Sequence, residues 1–123
     1  MEPKLGILIV DDNDIFRQHA SLFLERQNGF EIAGTAATAA DGARLFEQLQ
    51  PDIVLLDVTL PDRSGFELIE AMKEIRPKAR IILITSHDEE EYRIRAHEKG
   101  ADGYIVKRRM ARDLLRVIAS LKL

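Results

Sequence analysis

Asp57 ends the apolar run Ile53-Val54-Leu55-Leu56, so a carboxylate stands where a buried strand should emerge into solvent. The earlier run Leu5-Gly6-Ile7-Leu8-Ile9-Val10 ends the same way, in Asp11-Asp12. Laid side by side and parallel, these two strands would bring three carboxylates to one edge of a sheet. Such a cluster repels itself unless something positive sits within it. A hard divalent cation answers that need. A metal-bound carboxylate beside open coordination positions points to phosphate chemistry.

The rest of the chain supplies elements that can position this cluster. Leu5 to Val10 has strand length. Ile15 to Gln27 places Phe16, Ala20, Phe23 and Leu24 at helical spacing, and Asn28-Gly29 stops it. Phe30 to Ala36 alternates more weakly, as a strand near a sheet edge does. Thr38-Ala39-Ala40-Asp41 resembles a capping box and opens a helix through Leu45, Phe46 and Leu49, closed by Pro51.

Ile53 to Leu56 is the third strand. Ser64 or Gly65 begins a third helix with Phe66, Ile69, Met72 and Ile75 on one face, before Pro77. Arg80 to Thr85 is the fourth strand. Asp88 is placed to cap a charged fourth helix from Glu89 to Lys99, which Gly100 ends. Gly103 to Val106 is a short fifth strand. Met110 to Leu121 closes the series, with Leu114, Val117, Ile118 and Leu121 inward. Near-continuous apolar strands in strict alternation with amphipathic helices imply an α/β fold, a parallel sheet covered on both faces. Ligands then bind outside the carboxyl ends of the strands.

At that rim the residues past the first, third, fourth and fifth strands become neighbours: Asp11-Asp12, Asp57, Thr85-Ser86 and Lys107. Acids, hydroxyls and one ammonium are the parts that phosphoryl transfer to a carboxylate requires. The acids can hold Mg²⁺, and Lys107 can neutralise charge on the transferring group. Thr85 can hydrogen-bond a phosphoryl oxygen, and Asp57 is the natural nucleophile.

Bulk composition limits the alternatives. A length of 123 residues is that of a single domain, 1–123. A chain of that size buries roughly two-thirds of its unfolded surface. The formal net charge of -3 makes no electrostatic case for nucleic acid or a membrane as a direct partner. No cysteine is present, which removes disulfides and thiolate chemistry. Met1-Glu2-Pro3-Lys4 leads straight into a strand and does not read as a signal peptide, so a cytoplasmic location is expected. His19, His87 and His97 are scattered and form no metal set. Arg108, Arg109 and Arg112, with Arg93 and Arg95, are either a solvated face or a partner surface.

The chain resembles the receiver domains of two-component response regulators. The resemblance rests on Val10-Asp11-Asp12, Leu55-Leu56-Asp57, Leu60-Pro61-Asp62 with Gly65, Ile84-Thr85-Ser86 and the stretch Gly100 to Lys107, in family order over nearly the whole chain. It implies a flavodoxin-like, doubly wound (βα)5 fold with strand order 2-1-3-4-5. It also implies that Asp57 accepts a phosphoryl group from a sensor histidine kinase or phosphotransfer protein. Asp12, Asp57 and the backbone carbonyl of Thr59 would bind Mg²⁺, with Asp11 acting through a metal-bound water. Lys107 would pair with Asp57 and then with the phosphoryl group. Thr85 would be the switch hydroxyl and Tyr104 the aromatic switch, repacking the face made by the fourth helix, fifth strand and fifth helix.

The same resemblance implies a switch in place of an enzyme, one that catalyses its own phosphorylation and slow dephosphorylation. An output domain or effector protein, and a phosphorylation-dependent homodimer, are the further partners it brings. Two positions depart from the common pattern: Arg108 follows Lys107 where proline is usual, and Thr59 stands at a variable position. The missing proline and Glu31 to Ala36 resemble receivers that precede helix-turn-helix domains. Two other readings stay open. One is a Mg²⁺-dependent phosphohydrolase using Asp57, the other a binding module that no longer takes phosphate.

Overall fold

The computed structural model describes residues 3–123, so Met1 and Glu2, which open the expected domain, lie outside the described residues. Its five strands are β1 (Leu5–Val10), β2 (Phe30–Ala36), β3 (Ile53–Asp57), β4 (Arg80–Thr85) and β5 (Gly103–Val106). They form one parallel sheet in the order β2-β1-β3-β4-β5, as expected. Between and after them run α1 (Asp14–Glu25), α2 (Ala39–Leu49), α3 (Gly65–Ile75), α4 (Glu90–Glu98) and α5 (Met110–Ser120). A 3-10 turn, Lys107–Arg109, separates β5 from α5.

Strand alternation sorts the core into two layers. Leu8, Val10, Val54, Leu56, Ile81 and Leu83 face α2, α3 and α4. Ile7, Ile9, Ile53, Leu55, Ile82, Ile84 and Ile105 face α1 and α5. Both faces of the central strands are therefore dry, which is why β1, β3 and β4 read as unbroken apolar runs. β2 lies at an edge and carries one extra residue, Ala33, where the register shifts opposite Ile7 and Leu8.

Three helix starts are fixed by side chains, and one differs from expectation. Asn13 caps α1 by accepting from the Phe16 N–H, Thr38 caps α2 through the Asp41 N–H, and Ser64 caps α3 through the Phe66 N–H. The expected cap of α4 by Asp88 does not form. Glu89 occupies that place with no side-chain cap bond, and Asp88 is drawn away to arginines 93, 108 and 109. α2 ends as Gln50 turns left-handed (φ 48) before Pro51, and α4 ends into Gly100 (φ 94).

Ile75, expected on the buried face of α3, is 51% exposed. Steps of three residues fall about 60° short of a full turn each time. Phe66, Ile69 and Met72 stay within the buried arc, and the drift carries Ile75 beyond it. Leu49, at the end of α2, is also partly exposed, at 40%, and covers Gly34 of edge strand β2 with one methyl.

Asp102 fastens the edge between β4 and β5. Its carboxylate accepts from the Ile81 N–H at 2.8 Å and from Lys73 at 2.6 Å, and its own N–H donates to the Ile81 carbonyl. Asp102→Ala leaves the Ile81 N–H without its side-chain acceptor and Lys73 with only the Ala79 carbonyl. In urea unfolding it is expected to lose about 1–3 kcal/mol, and Asp102→Asn, which keeps the Ile81 bond, less than that.

Candidate functional site

The sheet brings the expected acids, Ser86 and Lys107 together at one rim, while Thr85 is not among the residues that line the cleft. Ligand atoms of Asp11, Asp12 and Asp57 all lie within 4.8 Å of one another, beside a cleft of about 470 Å³ lined by Asp12, Asn13, Asp57, Thr59, Ser86, His87 and Lys107. Asp11 continues the alternation of Ile7 and Ile9, and Asp57 that of Ile53 and Leu55. Lys107 continues that of Ile105. All three side chains thus emerge on the α1/α5 side.

Lys107 Nζ sits 2.7 Å from Asp11 Oδ2 and 3.2 Å from Asp57 Oδ2, and 4.9 Å from the centre of the Phe16 ring. Burial opposes the ammonium's charge, but the two carboxylates outweigh it and hold its pKa above the ordinary lysine value. The resemblance implied a partnership with Asp57. The closer partner is Asp11, which is fully buried.

Each carboxylate is set by local backbone. Asp11 Oδ1 accepts from the Asn13 N–H at 2.8 Å, and Asp57 Oδ1 from the Thr59 N–H at 3.1 Å. The guanidinium of Arg17, one turn along α1, donates to the Asp11 carbonyl. Asp12 is exposed and, among the described residues, its side chain has no partner. It is not the cap of α1, which falls to Asn13, so its carboxylate is free to face the cleft.

Gly65 approaches the site from below. A Cβ there would stand 2.1 Å from the Asp57 carbonyl oxygen, and the Gly65 N–H donates to the Val58 carbonyl at 2.7 Å. Only glycine lets α3 start this close to the backbone of Asp57. Asp62, from the same connection, accepts from the Ala39 and Ala40 N–H groups. Those two bonds hold its carboxyl below the usual carboxylate range. The Leu60-Pro61-Asp62 motif therefore acts on the start of α2 and lies outside the cleft lining.

Thr85 and Tyr104 lie on the opposite strand parity, toward α4. Thr85 is 1% exposed, and its hydroxyl accepts the His87 N–H at 3.0 Å. The Tyr104 hydroxyl donates to the His87 carbonyl at 2.8 Å, and the Arg93 guanidinium stacks on its ring. His87 itself lies flat on Tyr92, with ring centres 4.6 Å apart. Sequence reasoning passed over Asn13, Arg17 and His87. Asn13 is legible as a capping residue, whereas Arg17 and His87 act across loops and leave no periodic signal.

Three carboxylates against one ammonium leave two negative charges, and Asp11 Oδ2 is buried without a hydrogen-bond partner in good geometry. The donor set fits a hard divalent cation with oxygen ligands. Without such a cation Asp57 is destabilised as an anion. Burial first, then Asp11, push its pKa up to about 6, against the pull of Lys107 and the Thr59 N–H.

A raised acid pKa means that the folded state binds more protons than the unfolded one between the ordinary value and about 6, so this contribution to stability falls as pH rises. In chelator, Asp57→Asn is expected to gain on the native protein by about 2–3 kcal/mol between pH 4 and pH 7. The gain should level off above pH 7 and shrink when Mg²⁺ is added. Urea unfolding across that range measures it, and a constant difference would contradict it.

The Response regulator receiver domain family model matches residues 7–119. The Rhizobium johnstonii transcriptional regulatory protein MctR is 34% identical over 105 residues, 85% of this chain and 49% of that one. A LuxR-family two-component response regulator from Aurantimonas superposes with a TM-score of 0.89 at 32% identity, covering 97% of this chain and 86% of that one. A chain of the CheX-CheY-BeF3-Mg+2 complex from Borrelia burgdorferi superposes at 0.90 with 27% identity, covering 98% and 91%. The chain spans about half the length of the first curated relatives it matches. It belongs to the response regulator receiver domains, the switch modules of two-component phosphorelay signalling.

Proposed function

We propose that Asp57 is the phosphoacceptor of this receiver domain, read as residues 1–123. The observation that carries this is the pairing of a buried, under-neutralised Asp57 with Lys107 at 3.2 Å at the mouth of an open cleft. A carboxylate oxygen of Asp57 attacks phosphorus, the bond from phosphorus to the donor's nitrogen breaks, and the donor imidazole leaves. Lys107 stays charged throughout and faces the oxygens on which negative charge accumulates.

Asp12, Asp57 and the Thr59 carbonyl are the residues that would hold Mg²⁺, with Asp11 behind them through a water. When bound, the cation supplies neutralising charge to the phosphoryl oxygens. The Borrelia complex, which contains BeF3 and Mg+2 by its own description, supports the same chemistry here.

Phosphorylation adds about −1.5 to −2 charge beside Lys107. Thr85 is drawn toward the phosphoryl group and Tyr104 follows, so the signal is a population shift of the α4-β5-α5 face. A sensor histidine kinase or phosphotransfer protein is the donor. The transcriptional and LuxR-family relatives support a DNA-binding output, with phosphorylation-dependent pairing of two copies as one route to it. No helix among the described residues is long and apolar enough to cross a membrane. A cytoplasmic location fits a kinase-fed switch.

Incubation with acetyl phosphate and Mg²⁺ should add one phosphoryl group by intact mass, and none to Asp57→Asn or in excess EDTA. Unchanged labelling of Asp57→Asn would remove the assignment. Multiple turnover of a phosphomonoester would favour the phosphohydrolase reading, and no labelling at all the phosphate-blind module.

A further inference from the structure

The turn that carries Lys107 is closed by one backbone bond, from the Met110 N–H to the Lys107 carbonyl, and has no side-chain cap. Lys107–Arg109 is a single 3-10 turn, and neither it nor the start of α5 receives a side-chain cap. Arg108 follows Lys107 with no proline ring to fix its backbone. A lone 3-10 turn with poor internal hydrogen bonding needs tertiary contacts to hold one conformation. Yet Lys107 must place its ammonium between two carboxylates, within hydrogen-bond reach of both.

The hold comes from the loop after the neighbouring strand, β4. Arg108 and Arg109, the two residues after Lys107, both donate to Asp88 Oδ2, at 2.8 and 2.6 Å. Arg93 of α4 approaches Asp88 Oδ1 at 3.8 Å. The Arg109 hydrogen bond is the main reason that the Asp88 carboxyl stays below its ordinary pKa range. Asp88 follows His87, whose backbone is gripped on one side by Thr85 and on the other by Tyr104. One exposed carboxylate therefore ties the Lys107 turn to the loop beyond β4. Charge-assisted bonds from two adjacent guanidinium groups fix direction as well as distance. Screened by solvent, they add little to global stability. Their consequence is geometric.

We propose that Asp88 is a positioning residue for Lys107, clamping the turn after β5 so that the ammonium stands between Asp11 and Asp57. This rests on the reading of Asp57 as phosphoacceptor. Because the clamp joins the turn after β5 to the loop after β4, it also makes the Lys107 side and the Thr85–His87–Tyr104 side move together.

A double-mutant cycle on the whole chain tests it, with acetyl phosphate, Mg²⁺ and intact mass as readout. Asp88→Ala should slow labelling roughly tenfold, short of the hundredfold that a 1 Å misplacement can cost. Its urea midpoint should stay unchanged, and Asp88→Glu should recover most of the rate. Arg108→Ala with Arg109→Ala should reproduce the loss from the other side. In a Lys107→Ala background, Asp88→Ala should have no further effect. Equal slowing with and without Lys107, or no slowing at all, overturns the proposal. The side-chain ¹⁵N resonance of Lys107, recorded without phosphate or metal, is an independent readout. It should shift in Asp88→Ala and return in Asp88→Glu, and an unmoved signal overturns the clamp. If the native protein takes no phosphoryl group, the phosphoacceptor reading fails while this resonance still decides the clamp.

Discussion

The site depends on one ammonium shared between two carboxylates that have lost most of their water. Lys107 stands 2.7 Å from Asp11 and 3.2 Å from Asp57, with Asp11 fully buried and Asp57 only 4% exposed. In solvent such contacts add little, but burial removes the screening and makes both the attraction and the residual repulsion large. Three acids and one base are not a neutral set. The surplus is restrained by fixed dipoles, the Asn13 and Thr59 N–H groups, which cannot move away as water would. A site built this way is held in shape while remaining short of positive charge.

That arrangement is a consequence of strand parity. Asp11, Asp57 and Lys107 prolong the residues that face α1 and α5, whereas Thr85 and Tyr104 prolong those that face α4. A one-residue slip of β3 would turn Asp57 away from Lys107 and toward the opposite layer. The dry, two-sided sheet forbids that slip, since it would also exchange the partners of every apolar residue in the strand. The same packing that stabilises the fold therefore fixes the chemistry, and Gly65 sets how closely α3 can begin behind it.

The legible part of the sequence is what repeats or ends. Apolar runs mark the central strands, and the rule that ligands sit past their carboxyl ends picks out Asp11, Asp12, Asp57, Thr85 and Lys107 as candidates without any contact being known. Errors arise where a side chain has a choice of partner. Asp88 reads as a helix cap, the local option for an acid before a charged helix, but arginines some twenty positions away compete successfully for it. Asp12 and Asn13 are both good caps, and only the backbone shows that Asn13 takes the role. Ile75 misleads because three-residue spacing holds a face for two turns and then leaves it. Arg17 and His87 are invisible because they act through backbone groups of neighbouring loops.

Under the proposed reading, a charge on Asp57 would reach the surface by a short route, through two hydrogen bonds at His87. The Thr85 oxygen accepts the His87 N–H, and the His87 carbonyl accepts the Tyr104 hydroxyl. Under the proposed reading, pulling Thr85 toward a phosphoryl group lengthens the first bond and loosens the second. The initial response is then a shift of the backbone at His87, before any helix moves. The element beyond it is the one best able to yield. α4 buries a single residue, Ala96, where α3 buries five. Segments with few buried apolar contacts repack or open at the lowest free-energy cost. Under the same reading, the weak seat of α4 and the tight seat of α3 would direct a perturbation at the rim toward α4 and β5.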